Sequence, residues 1–267
     1  MLHILNVEFK RAILRWQTWI AFVLFVGCII VGVEIFRPGE LVPFDPNVHN
    51  PFNAFLYAVG NGARPILPLA FALIVPLVAG DTLVWDRRTS FYQMSLLRVS
   101  YKKYILGKIL ASSIITAVFA LCAQIVGFLY CITTFPVPAA LSIEQGITPT
   151  YAQELFIHHP FLYMFLIIAH ITLFSMVVVM ISVLISNVTK NIYVVLCFPW
   201  LLFCFLQVVF YMYDVERYAP VDLVGSYVIG IDYSIWEISV LFTSIWAVLV
   251  LTVYGIFFAR YKGRLMK

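Results

Sequence analysis

Side chains that could bind a metal or catalyse hydrolysis are concentrated in one part of the sequence. Glu154, His158 and His159 lie close together, and His170 follows in the next apolar stretch. Carboxylate and imidazole groups are ligands that Zn²⁺ accepts in proteins. Their spacing nevertheless matches no H-E-x-x-H pattern, and Pro160 interrupts a helical register directly after the histidine pair. We therefore expect no catalytic or metal centre here, and the sequence does not favour an enzyme.

A nucleotide-binding loop is the second kind of chemistry to consider. Gly107 and Lys108 form a Gly-Lys pair of the kind such a loop contains, but Ile109 follows in place of Ser or Thr and the upstream glycine is missing. A phosphate-binding loop needs both, because its backbone amides and its hydroxyl hold the phosphates and Mg²⁺. The chain is therefore expected to bind no ATP by this route and to carry no cofactor of its own.

The composition is typical of a membrane protein. Hydrophobic residues make up 63% and charged residues 11% of the 267 residues, and the mean hydropathy is +0.98. Soluble domains contain about 45–50% apolar and about 25% charged residues. The basic residues are scattered over several short loops, which argues against nucleic acid as a partner. The cysteines all fall in apolar stretches, so no disulfide framework is predicted.

Apolar stretches of about 20 residues, the length that crosses a bilayer, recur along the chain. They predict an all-α polytopic membrane protein with six transmembrane helices in a single domain, 1–267. The predicted spans cover residues 16–36, 65–84, 104–133, 161–185, 192–212 and 235–259. The first outer loop, 37–64, includes a short helix near 51–59. The segment 213–234 is expected on the outer side, either as short re-entrant helices or as a plain loop.

The distribution of basic residues gives the orientation. With this set of spans, all but three of the 17 Lys and Arg residues fall on one side, the exceptions being Arg37, Arg64 and Arg217. Cytoplasmic loops carry the excess of Lys and Arg, so this side is predicted to be the cytoplasm and both termini to lie there. The chain is therefore expected in the plasma or inner membrane, in contact with lipid.

Four residues inside the predicted spans are candidates for a hinge or a substrate pathway. Pro76 lies in the middle of the second span, where it removes a backbone hydrogen bond and predicts a kink that is either static or used as a hinge. Gln124, His170 and Gln207 are polar side chains within apolar segments. Such groups either join helices by hydrogen bonds or line a pathway, and the sequence leaves both interpretations open.

The N-terminal segment, 1–16, has the pattern of a helix that lies in the membrane interface. Phe9 and Trp16 belong to an apolar stripe, whereas Arg11 and Arg15 share a polar side. An amphipathic helix of this kind rests on the bilayer with its apolar face toward the acyl chains. A simple basic flank before the first span is the alternative interpretation.

The densest group of charges lies between the second and third spans, in the loop 85–103 and the residues next to it. Within this loop, apolar side chains recur at helical spacing, which predicts a short helix with one apolar face. The apolar positions are Phe91, Met94 and Leu97, and the flanking charges are Asp86, Arg87, Arg88 and Lys108. Such a helix could lie on the membrane or insert into a partner protein.

This loop resembles the corresponding loop of ABC-2 type permeases, the transmembrane subunits of ATP-binding-cassette exporters. In that family the loop begins with an acidic-basic cluster, continues through a Leu-rich turn and a Val-Ser pair, and ends with Tyr-x-x-Gly-Lys. The matching elements here are Asp86-Arg87-Arg88, Leu96-Leu97, Val99-Ser100 and the run from Tyr104 to Lys108. Ser90 and Phe91 replace the usual Gly-Thr, and Arg98 replaces the usual Pro, so the start of the helix and the loop geometry differ from the family pattern.

The resemblance implies a permease without its own motor. Family members pair with a second permease copy or a paralogue and bind two copies of a separate ATPase, which carries ATP and Mg²⁺. The short loop helix would be the coupling helix that docks on the ATPase, with the N-terminal helix beside it. The implied function is export of a hydrophobic or amphipathic substrate, such as a peptide, drug, lipid or glycan. The alternatives are an ATPase-independent immunity or assembly protein and a membrane-embedded enzyme.

Overall fold

The structure, a computed structural model, describes the greater part of the chain. The described residues are 2–39, 44–46, 48–60, 66–89, 91–98, 100–138, 141, 153–214 and 219–225. Within these ranges the regular structure is helical throughout, with no strand. Five of the helical segments are long and apolar enough to cross a membrane. The predicted class, a helical multi-pass membrane protein, is thereby confirmed, and the predicted span 235–259 lies outside the described residues.

The helices follow the order that the apolar stretches predict. They are α1 (Leu2–Leu14), α2 (Trp16–Phe36), α3 (Pro51–Val59), α4 (Ile66–Ile74), α5 (Pro76–Ala79), α6 (Thr82–Arg88), α7 (Phe91–Arg98), α8 (Tyr101–Thr134), α9 (Gln153–His158), α10 (Pro160–Val188), α11 (Ile192–Met212) and α12 (Pro220–Gly225). The candidate spans are α2, the segment α4 to α6, α8, α10 and α11. The bounds of α2 and α11 coincide with the predicted ones, because each apolar run is bordered by polar residues.

The third span is longer than a bilayer is thick. α8 contains 34 residues, which at about 1.5 Å per residue gives a length of roughly 50 Å. The hydrocarbon core measures about 30 Å, so α8 is several turns longer than this core is thick. Its first turns pack against α1, α6 and α7. The end of the bundle where these four helices meet is termed the charged end below, because the ion pairs described in the next section lie there.

The second span is divided into three short helices. α4 ends at Ile74 and α5 begins at Pro76, whose ring nitrogen cannot donate the hydrogen bond that would continue α4. The kink predicted at Pro76 therefore coincides with a break between helices. A second break lies at Gly80, where a Cβ atom would come within 2.7 Å of the Cβ atom of Ser182. The absence of a side chain at Gly80 thus lets α10 approach this span closely.

The predicted first outer loop contains a helix that packs inside the bundle. The side chain of Asn50 caps α3, since its Oδ1 atom accepts a hydrogen bond from the backbone N–H of Asn53 at 2.9 Å. α3 is almost entirely buried and packs against α2 and α8. Gly32 of α2 permits this contact, because a Cβ atom there would lie 2.7 Å from the Cα atom of Ala58. The sequence predicts the short helix but not its burial.

Aromatic side chains link the spans in the core of the bundle. Phe25 of α2 contacts both Phe71 of α4 and Phe119 of α8, and ring centroids are 6.0 and 5.9 Å apart. Phe71 continues the chain to Phe174 of α10, and Phe174 to Phe203 of α11, with separations of 5.8 and 5.6 Å. Each such pair contributes about 0.5–1.5 kcal/mol beyond the area that it buries. The five spans are thus held together by one continuous aromatic network.

Candidate functional site

The N-terminal helix lies against the bundle with its charged side inward. α1 ends at Leu14, and Arg15 takes an extended conformation (φ −81°, ψ 125°) before α2 begins at Trp16. Glu8 is buried, whereas Phe9 and Trp16 of the apolar stripe are 39% and 67% exposed. The apolar stripe therefore faces away from the described protein. This arrangement fits a helix at the membrane surface whose apolar side faces lipid.

Lys108 lies at the centre of a buried ion network. Its Nζ atom is 2.7 Å from Oε1 of Glu8 and 2.5 Å from Oδ2 of Asp86. The Nη1 atom of Arg11 is 3.0 Å from Oδ1 of Asp86 and 3.3 Å from Oε1 of Glu8. Tyr104 donates its hydroxyl hydrogen to Oδ2 of Asp86. The network therefore joins α1, α6 and α8 at the charged end.

A second ion pair fixes the corner between α1 and α2. The Nη2 atom of Arg15 lies 2.7 and 2.6 Å from the two carboxylate oxygens of Asp81. The indole N–H of Trp85 donates a further hydrogen bond to Oδ2 of Asp81 at 3.0 Å. Trp19 stabilises the same corner, since its indole N–H donates to the carbonyl of Ile13 at 2.8 Å. The direction in which α1 leaves α2 is thus set by side chains of α2 and α6 and by Arg15 and Asp81, which directly precede these two helices.

The charges of the two clusters balance. Glu8, Asp81 and Asp86 provide three carboxylates, and Arg11, Arg15 and Lys108 provide three cations. Taking an ion out of water costs several kcal/mol, and only close pairing with further hydrogen bonds offsets that cost. Removing one partner of such a pair is strongly destabilising, because it leaves an uncompensated buried charge. The site therefore favours one fixed arrangement of α1, α6 and α8.

The short helix α7 lies between these anchored helices. Phe91, at its start, is half-buried, and the guanidinium carbon of Arg11 lies 4.0 Å from the centroid of its ring. Met94 and Leu97 are 64% and 88% exposed. The predicted apolar face is therefore divided, since Phe91 attaches the helix to α1 while Met94 and Leu97 face outward. An exposed apolar pair on a charged end is a candidate contact for a partner.

The two arginines that follow Asp86 bind the end of a neighbouring span. The Nη1 atom of Arg87 donates to the carbonyl of Ser186 at 2.9 Å, and the Nη2 atom of Arg88 donates to the carbonyl of Lys190 at 3.2 Å. Both carbonyls lie at the C-terminal end of α10 or directly after it, where helix carbonyls lack partners and cations are favourable. α6 is thereby tied to α10 as well as to α1 and α8.

Two of the charges expected to contact a docked partner are not accessible. Asp86 is 2% and Lys108 1% exposed, and they bind each other. The physical reason is that α1 covers them and supplies Glu8 as a second carboxylate for Lys108. In this structure they hold the helices around α7 in place. Among the residues predicted to take part in coupling to an ATPase, the exposed ones are Arg88, Met94 and Leu97.

The polar residues inside the spans connect helices. The Nε2 atom of Gln124 in α8 donates to the carbonyl of Ile168 at 3.4 Å and to the hydroxyl of Thr172 at 3.2 Å, both on α10. The side-chain oxygen of Gln207 in α11 accepts a hydrogen bond from the backbone N–H of Val221 in α12 at 3.0 Å. His170 is half-buried in α10. These contacts correspond to the helix-joining interpretation of Gln124 and Gln207.

Most of the residues that suggested metal chemistry are exposed to solvent. Glu154, His158 and His159 are exposed at α9 and at the start of α10. Across the part of the chain that the structure describes, no three His, Cys, Asp or Glu side chains come together in a way that could hold a metal ion. The candidate site is therefore the charged end.

Three residues of the two ion clusters, Glu8, Asp81 and Tyr104, are not among the site residues predicted from the sequence. For Tyr104 the available signal is its spacing of four from Lys108, which places both on one face of a helix. No protein-family model, curated protein or solved structure matches the chain. The case for a function rests on the residues and geometry of the charged end.

Proposed function

We propose that this chain is the permease subunit of an ATP-binding-cassette exporter of the ABC-2 type. The observation that carries the proposal is the convergence of Tyr104 and Lys108 on one carboxylate oxygen of Asp86. Asp86 belongs to the start of the loop signature that resembles ABC-2 permeases, and Tyr104 and Lys108 belong to its end. This contact gives a physical reason why an Asp at one end of the loop signature occurs together with a Tyr and a Lys at the other end.

The charged end supports transmission of movement from α7 to the spans. α6 and α8, on either side of α7 in sequence, are joined through the ion pair of Asp86 and Lys108, and α7 itself contacts α1 through Phe91 and Arg11. A force applied to α7 would therefore be transmitted to packed helices and would not be absorbed by a flexible loop. Packed elements of this kind shift between discrete arrangements instead of deforming continuously. This is the property that ATP-driven transport requires of a permease.

The exposed face of α7 supports a docked ATPase as the source of that force. Met94 and Leu97 offer apolar area, and Arg88 and Lys103 are exposed charges close by in sequence. Buried apolar anchors contribute most of the affinity at protein interfaces, and surrounding charges orient the partner. The complete assembly would contain two permease chains, either identical or paralogous, and two ATPase subunits that bind ATP and Mg²⁺.

Within this assembly the chain would span the plasma or inner membrane with both termini in the cytoplasm. The substrate would be a hydrophobic or amphipathic molecule, such as a peptide, drug, lipid or glycan, taken from the cytoplasm or the inner leaflet. The apolar surface of the spans and the absence of a nucleotide-binding loop in the sequence support transport driven by a separate subunit.

Co-expression with any ATP-binding-cassette ATPase that is encoded next to this chain tests the proposal. We expect one ATPase to copurify with the chain and to hydrolyse ATP faster in the complex than alone. An ATPase whose phosphate-binding lysine is replaced serves as the control, because it should still bind but not hydrolyse. A purified chain that stays monomeric and binds none of these ATPases would contradict the proposal.

A further inference from the structure

A cavity of about 460 Å³ lies between α1 and the bundle at the charged end. Its walls come from α1, the start of α2, α5, α6 and α8, and include Arg11, Arg15, Ala12, Ile115, Trp16 and Trp85. Its volume falls in the range of about 300–1,000 Å³ that small-molecule sites occupy. Glu8, Arg11 and Asp86 of the ion network and Arg15 of the second ion pair belong to its lining, whereas Lys108 and Tyr104 do not.

The charged lining of the cavity combines the carboxylates of Glu8 and Asp86, which are already ion-paired, with the guanidinium groups of Arg11 and Arg15, which have unused donors. The ion pairs with carboxylates engage only Nη1 of Arg11 and only Nη2 of Arg15 among the described residues. Each guanidinium has further N–H groups in a planar fork that fits phosphate oxygens. Both arginine side chains keep part of their surface exposed, at 39% for Arg11 and 18% for Arg15.

The remaining walls are apolar and lead outward to exposed hydrophobic side chains. Ala12, Ala79 and Ile115 line the interior and are buried, whereas Leu14 and Trp16 line the cavity and are exposed. Tryptophan is enriched at the depth of lipid headgroups, where one end of the ring is apolar and the other polar. A ligand that has hydrogen-bond acceptors for the two arginines at one end and an apolar body at the other therefore fits these walls.

We propose that this cavity binds a phospholipid of the adjacent leaflet. The phosphate accepts hydrogen bonds from Arg11 and Arg15, the glycerol backbone lies along Ala12 and Ile115, and the acyl chains leave past Leu14 into the bilayer. Basic pockets between transmembrane helices on the cytoplasmic side bind lipid headgroups in this way. Free phosphate would use only the arginines and leave the apolar walls without a partner.

The charge balance of the site indicates what the lipid does. The carboxylates of Glu8, Asp81 and Asp86 are already paired with the three cations, so the phosphate adds acceptors for unused N–H groups without replacing an ion pair. A bound lipid would thus join α1 to α6 and α8 and hold the N-terminal helix at the membrane surface. This inference requires only a membrane protein and does not rest on the proposed exporter function.

Native mass spectrometry of the detergent-purified full chain tests the proposal. The probes are phosphatidylglycerol and a diacylglycerol with the same acyl chains, each added in a titration. We expect one phosphatidylglycerol to be retained per chain and the diacylglycerol to bind at least about tenfold more weakly, because it lacks the phosphate that accepts charge-assisted hydrogen bonds from the arginines. Addition of excess inorganic phosphate should not displace the lipid.

Two variants locate the site. Arg15→Lys keeps the charge beside Asp81 but removes the planar fork, and Thr89→Trp adds a large side chain at an exposed wall position that belongs to no ion pair. Both should reduce retention about tenfold while the protein stays monodisperse. Arg88→Gln, next to Thr89 but outside the cavity lining, is the control and should retain the lipid. Equal retention of both lipids, displacement by inorganic phosphate, or full retention by Thr89→Trp would overturn the proposal.

Discussion

The Nζ atom of Lys108 lies 2.5 Å from Oδ2 of Asp86, which joins the first turns of the third span to the last helix of the second. Both side chains are almost completely buried. The loop that contains α7 therefore begins and ends at two helices, α6 and α8, that this ion pair joins. Any protein that pushes on α7 acts on two membrane spans at once.

Loss of the cation at Lys108 should destabilise the protein. Lys108→Met leaves the buried carboxylates of Glu8 and Asp86 with too few cations, and breaking such a pair costs about 3–5 kcal/mol. Adding Asp86→Asn to this variant removes one of the orphaned charges, so the double variant should lose less than the two single variants together. The measurement is thermal unfolding in detergent. Lys103→Met, at an exposed position of the same helix, is the control and should unfold like the parent; equal stability of Lys108→Met and Lys103→Met would contradict the buried network.

Because α3 is buried against α2, substitutions at two glycines of α2 should differ in their effect on stability. A Cβ atom at Gly32 would lie 2.7 Å from the Cα atom of Ala58, whereas a Cβ atom at Gly27 would meet nothing within 4 Å. Gly32→Ala should therefore destabilise the protein by about 1–3 kcal/mol, since backbone atoms must move apart. Gly27→Ala should have a near-neutral effect. Comparable unfolding temperatures for the two variants would show that α3 does not pack against Gly32.

The orientation can be read from cysteine labelling in sealed cells. In a background without the native cysteines, Ser95→Cys in α7 should react only after the membrane is opened, because the basic residues place this loop in the cytoplasm. Val137→Cys, at an exposed position after α8, should react with a membrane-impermeant reagent from outside. Labelling of Ser95→Cys in intact cells would show that the orientation is opposite to the predicted one.

The sequence predicts the described spans well because length and apolar content determine them. α2 and α11 begin and end where the apolar run does. Pro76 likewise coincides with a break, since the missing N–H acts locally. The second break, at Gly80, depends on the approach of Ser182 from a distant helix and has no local signal.

The candidate site is less visible in the sequence, because its contacts join distant segments. The pattern of α1 separates a charged side from an apolar side, but it does not say which side meets the protein. That choice is decided by Asp81, Asp86 and Lys108, which supply partners for the charged side. For the same reason, Asp86 and Lys108 look like accessible loop charges in the sequence and are buried in the fold.

The central claim is that the exposed face of α7 docks on an ATPase, and Met94→Glu tests it most directly. A carboxylate buried without a partner at that interface costs several kcal/mol, so binding should fall at least about 100-fold. Met94→Leu, of similar volume and polarity, is the matched control and should bind normally. Both variants are compared by ATPase pull-down and by membrane insertion in the same cells. We expect Met94→Glu to insert like the parent chain and to retain no ATPase; normal pull-down by Met94→Glu would contradict the coupling role of α7.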